Sequence, residues 1–240
     1  MIKNLLSDYQ RFINSKDASH YDIQDCILKK LVYVYPEHTN YAAVEVKAKL
    51  LNLFYSTGIQ AMDKMVENIM SIANIDEILK EEKCCPELVH KIARLQLTDA
   101  ERDNYSFATK YCALHQPEKY PIYDSIVASV FTELMMQNQL PPYSLNKGRK
   151  VKSTDTCKTK SEFREMLRDY VSYVKVYDAF MKEYGLTSIS YRDADRYLWG
   201  SFKSPGFKSE IEKMVNIEGK YTETKPHKMP RQTKLNRTNK

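Results

Sequence analysis

Asp124 is the residue of this chain best placed to do chemistry. It follows Pro121 and Tyr123 and precedes the apolar run Ile126, Val127, Val130, Phe131 and Leu134, so it stands where an N-cap belongs. The positive end of a helix favours an ionised carboxylate. Such a group can cap the helix, or it can stabilise a cationic reaction centre and orient a water molecule. On the residues alone both readings stay open. Ser106 lies eighteen residues earlier and Lys110 one helical turn after Ser106, so a hydroxyl and an amine precede the carboxylate.

Other arrangements carry less. Cys112 and His115 are three apart, but no second pair at zinc spacing and no cysteine quartet accompanies them. As a nucleophile and its base they lack a group to orient the imidazole, and packing explains both. No glycine-rich phosphate loop is present, which argues against nucleotide hydrolysis of that kind. No metal or other cofactor is expected. The polar stretch Ser56-Thr57-Gly58 is either a ligand-facing turn or an ordinary helix terminus.

The elements that must hold these residues read as helices. Spacings of three and four recur through Leu5–Phe12, Ile23–Val34, Val46–Phe54, Met62–Met70, Ile75–Leu79, Phe107–Leu114 and Ile126–Leu134. Residues 1–35 read as two helices, and Phe163 to Tyr184 as one long helix carrying a tyrosine stripe that belongs to a core. Thr98-Asp-Ala-Glu101 and Ser190-Tyr-Arg-Asp193 have capping-box spacing, so a helix is expected to start at Thr98 or at Asn104, and another at Ser190. Trp199 reads as a core anchor. No useful period-2 alternation is present, and the fold class is all-α.

The 240 residues, 42% hydrophobic and 11% aromatic, suffice for a packed core. The net charge of +6 is equalled by the tail alone, since residues 219–240 hold seven Lys and Arg against Glu223. That tail is expected to be disordered, as a solubilising segment or a contact for a polyanion. Lys147, Arg149, Lys150 and Lys152 fall in a basic, proline-containing stretch over 138–160, expected to be an insertion loop suited to phosphate contact. Five cysteines, two of them adjacent, argue against a disulfide framework. With no apolar run of membrane-spanning length and no leader pattern, a cytoplasmic monomer without membrane contact is expected.

The segment around Asp124 resembles the catalytic region of the helix-hairpin-helix DNA glycosylase superfamily. Tyr123-Asp124-Ser125 is similar to that family's V-D-T/S element. Ser106-Phe107-Ala108 lies where its earlier helix opens, and Leu53-Phe-Tyr-Ser-Thr-Gly-Ile-Gln60 resembles its L-L-S-x-Q-x-T-D helix end. The resemblance covers roughly residues 42–134. The hairpin segment 97–104 departs from the family in lacking a glycine turn, and the family's invading glutamine has no clear counterpart.

What the resemblance implies is an all-α domain over 1–218, with the active-site cleft between two helical subdomains. It also implies a monofunctional DNA glycosylase. Asp124 would stabilise an oxocarbenium-like sugar and activate water, leaving an abasic site. Ser106 occupies the position where lyase-competent members carry the attacking lysine. Ser56, Thr57, Gln60, Tyr105, Ser106 and Tyr123 are expected to line the pocket for a flipped, modified or damaged base. Lys110, Lys147, Arg149, Lys150 and Lys152 would contact DNA. A role in defence against phage DNA carrying glucosylated or otherwise modified cytosine is one expectation from such relatives. A noncatalytic helical DNA-binding module is the alternative.

Overall fold

Side-chain caps decide where most of the long helices begin. The computed structural model describes residues 4–19, 22–97, 100–140, 159–204 and 206–215. Three helices open the chain: α1 (Leu6–Ile13), α2 (Lys16–Ser19) and α3 (Asp22–Val34). Asn40 accepts from the Ala43 N–H to start α4 (Tyr41–Tyr55), which Ser56 ends in the left-handed region at φ 48. Then come α5 (Met62–Met70), α6 (Ile75–Lys80) and α7 (Pro86–Ala93), the last with proline in its first turn. Between α7 and α8 (Tyr105–His115) lies a hairpin of β1 (Arg94–Gln96) and β2 (Glu101–Asp103), in the register Arg94 to Asp103. α9 (Ser125–Met136), α10 (Lys160–Met166), α11 (Tyr170–Glu183), α12 (Tyr191–Lys203) and α13 (Glu210–Met214) complete the fold. Among the described residues no helix is long and apolar enough to cross a membrane.

The all-α expectation holds, with three local corrections. Residues 1–35 contain three helices, because the short α2 separates the two that were expected. The expected helix from Phe163 to Tyr184 is two, because Asp169 turns its carboxylate onto the Ser172 N–H at 3.0 Å and starts α11 afresh. Glu101 pairs with Gln96 in the hairpin, so α8 starts after Asn104 and not at the Thr98 box, of which Thr98 lies outside the described residues. The hairpin escaped notice because only Leu95 of its six residues is buried, too little for an alternating pattern. Trp199 is half-buried at the edge of the core, with the Lys203 amine 5.9 Å from its ring.

One apolar core runs from Leu5 to Val215. The helices α1, α12 and α13 meet there. Asp8 of α1 accepts from the Tyr197 hydroxyl at 2.6 Å and from the Glu210 N–H at 2.8 Å, and Gly200 of α12 leaves room for the Phe12 ring. The tyrosine stripe of α11 is core, as expected, and it has a second task. The connection from α8 to α9 is irregular backbone buried at Pro121 and Ile122, whose carbonyls have no helix or strand partner. The Tyr170 hydroxyl donates to the Pro121 carbonyl at 3.0 Å, and the Tyr173 hydroxyl to that of Ile122. Removing one such donor strands a buried acceptor. Tyr170→Phe is therefore expected to cost about 1–3 kcal/mol in denaturant unfolding, with helix content retained.

Candidate functional site

α8 is apolar nearly all round: Tyr105, Phe107, Ala108, Tyr111, Cys112 and Ala113 are buried. Its one lysine is carried inside with them. Lys110 is 5% exposed, and its Nζ donates to Ser106 Oγ at 2.6 Å and to the Tyr123 carbonyl at 3.3 Å. It also lies 3.7 Å from Asp124 Oδ2. The other carboxylate oxygen, Oδ1, accepts from the Ile126 N–H at 2.8 Å. The cap and the ion pair thus fall to different oxygens of Asp124. Burial lowers the Lys110 amine from its usual range, while Asp124 and then Asp195 pull the other way.

A small cleft with an enclosed volume of about 20 Å³ opens beside Lys110, and neither Asp124 nor Ser106 is among the residues that line it. Asp25 and Lys29 of α3, Tyr55 at the end of α4, Ala113 and Leu114 of α8, Pro117 and Ile122 of the connection, and Arg192 of α12 line it with Lys110. Arg192 donates to Asp25 and to the Tyr55 hydroxyl, and its Nη1 reaches Asp195 Oδ2 at 3.3 Å. Its guanidinium lies 5.3 Å from the centre of the Tyr55 ring, and the Lys110 amine 5.9 Å from the same ring. Burial works to raise the Asp25 carboxyl, but Arg192 outweighs it and holds that carboxyl below the ordinary range.

The expected site residues divide. Asp124, Ser106 and Lys110 come together as described. Tyr123 contributes its backbone carbonyl, whereas its ring packs between Tyr105 and Tyr173. Tyr105 does not line the cleft: it is buried in the core with its hydroxyl on the Leu167 carbonyl at 3.3 Å. Ser56, Thr57 and Gln60 form a turn closed by Asn52, which binds the Thr57 hydroxyl at 2.6 Å and both backbone groups of Ile59 at 3.0 Å. None of the three is among the residues lining the cleft, although the adjacent Tyr55 is. Lys110 is too deeply buried for the surface DNA contact expected of it. Lys147, Arg149, Lys150 and Lys152 lie outside the described residues, as do 219–240 of the tail.

Asp25, Tyr55, Arg192 and Asp195 were missed by the sequence reading. One signal was present for Asp195. It occupies the apolar stripe of α12 between Tyr191, Ala194 and Leu198, where an unpartnered acid has no structural reason to be.

On another face of α8 sits a second buried group. Lys47, shut off from solvent, donates to the Tyr35 and Glu37 carbonyls, and burial pushes its amine down to about 8. His38 Nδ1 meets Asp76 at 2.6 Å, and the His38 and His115 rings lie 4.7 Å apart. Burial depresses both imidazoles. The folded state therefore favours neutral rings, and stability present above the unfolded value near 6.5 is lost as pH falls below it. The denaturant midpoint is expected to fall from about pH 6.5 downward, and His115→Phe to flatten that slope.

A family model, HI_0787_N, described as an N-terminal domain, matches residues 1–119. A Haemophilus influenzae protein described as uncharacterized is 30% identical over 148 residues, which are 62% of this chain and 60% of that protein. The chain thus spans about 60% of the length of the curated relative it matches. No solved structure matches. The family segment supplies Asp25, Tyr55 and Lys110, while Asp124, Arg192 and Asp195 lie beyond it.

Proposed function

We propose that this chain is a DNA glycosylase that releases a modified or damaged base, with Asp124 as its catalytic carboxylate. The observation that carries the reading is the pair of Asp124 Oδ2 and Lys110 Nζ at 3.7 Å, with Lys110 lining a cleft. Breaking an N-glycosidic bond develops positive charge on the sugar, and a carboxylate placed at a helix start is suited to stabilise that charge and align a water. The place of Asp124 at the opening of α9, after α8 and a buried connection, supports the likeness to helix-hairpin-helix glycosylases.

Asp124→Asn separates the capping role from the chemical one, because asparagine caps as well as aspartate. The cap is kept, but the buried Lys110 ammonium loses its opposite charge, so some stability is expected to be lost. In protein shown to be folded, base release, followed by mass spectrometry on DNAs of differing modification, is expected to fall about a hundredfold or more. Wild-type rates in a folded Asp124→Asn protein would sink the reading. Salt-sensitive DNA binding with no base released from any DNA would favour the noncatalytic module instead.

A second version is favoured by the place of the amine. In a monofunctional enzyme water completes the reaction and an abasic site remains. Lys110, however, is desolvated beside the carboxylate, as suits an amine that attacks the sugar. In that case borohydride added during turnover captures a protein–DNA adduct that Lys110→Met does not form. Without an adduct, water is the nucleophile.

A further inference from the structure

The charged groups around the cleft are unevenly paired. Lys29, Lys110 and Arg192 bring three cations to the three carboxylates of Asp25, Asp124 and Asp195. Asp25 has both Arg192 and Lys29, and Asp124 has Lys110 and the α9 N-terminus. Asp195 is 6% exposed and makes a single 3.3 Å contact from Arg192 to Oδ2, while its Oδ1 is buried with no partner. An ionised carboxylate with one bare oxygen in such a place is strongly disfavoured.

We infer that Asp195 is a positioning residue that carries a proton at neutral pH, so that no second anion stands behind Asp124. This rests on the reading of Asp124 as the catalytic carboxylate. Asp195 acts through the charges next to it. Its neighbours are Arg192 on its own helix, Lys110 on α8, Asp124 at the start of α9, Asp25 on α3, Tyr55 on α4, and Tyr173 and Tyr177 on α11. The tyrosines are neutral, since burial raises each of their hydroxyls, so the charge next to Asp195 comes from the lysines, the arginine and the carboxylates. As the solution is acidified, Asp195 takes up its proton early. The direction agrees with burial, which pushes the Asp195 carboxyl up to about 7 against the pull of Arg192 and Lys110, with Asp124 and Asp25 raising it further.

Carboxyl-carbon NMR titration of the aspartate-labelled full chain, with Asp195→Asn and Asp124→Asn used for assignment, tests this directly. Asp195 is expected to titrate near pH 7. A midpoint for Asp195 in the ordinary carboxyl range near 4 would overturn the inference.

A second measurement does not depend on the assignment. The unfolded carboxyl ionises near pH 4 and the folded one near 7, so the wild type loses stability relative to Asp195→Asn as pH rises through that window, then levels off. A stability difference flat across it overturns the inference as well. Both readouts are independent of base release. A chain that excises nothing, yet titrates in this way, would remove the glycosylase reading and leave the proton on Asp195.

Discussion

An ammonium carried into a protein interior must be matched there by acceptors and opposite charge, and the packing around Lys110 meets that demand. Water is absent from most of its surface, so Ser106 Oγ, the Tyr123 carbonyl and Asp124 Oδ2 take its place. Each acceptor comes from a defined element: the same helix one turn earlier, the irregular connection, and the first position of the next helix. A shift of α9 along its axis would break the Asp124 contact. The amine thus constrains where α8, the connection and α9 meet, and α8 and the connection supply part of the cleft lining.

The constraint spreads outward through the connection. Three consecutive carbonyls, those of Pro121, Ile122 and Tyr123, receive donors from Tyr170, Tyr173, Ser106 and Lys110, and the Tyr123 N–H donates to Thr109 Oγ1 at 3.0 Å. Buried irregular backbone is tolerated only when such accounting closes. Tyrosine is the side chain suited to this place, because it fills core volume and ends in a donor. The tyrosine stripe of α11 therefore shapes the site without touching the cleft. The Arg168 to Asp103 contact at 2.6 Å similarly ties the bend before α11 to the hairpin before α8.

What could be read from the residues was what local geometry controls. The start of α9 was legible because proline followed by aspartate and an apolar run has few conformational solutions, and the capping bond of Asp124 to Ile126 is present. Ser106 was placed relative to it by the resemblance to the glycosylase motif, and Lys110 by lying one helical turn after Ser106. The remainder is set by contacts distant in sequence. Arg192 reaches Asp25 across 167 residues and Tyr55 across 137, so no window contains the cluster. Lys110 misled for a related reason. A lysine is exposed in most helices, and only the apolar residues on every side of α8 signalled that this one is not. The break at Leu167 to Asp169 was hidden because apolar spacing continues across it while a single carboxylate redirects the backbone.

Burial of so many charges at one place is a poor route to stability. Apolar residues of similar volume would hold α3, α4, α8 and α12 together as well or better, since each buried ion gives up hydration that its partner only partly restores. A cluster kept for packing would also be expected to pair its groups fully, and this one leaves a bare carboxylate oxygen on Asp195 and a lysine amine lowered by burial against a cleft. Perturbed groups cluster at sites that hold or move a proton, and structural ion-pair networks perturb them too. The combination of a desolvated amine, a capped carboxylate and a third acid behind them is the ground on which the proposed chemistry rests.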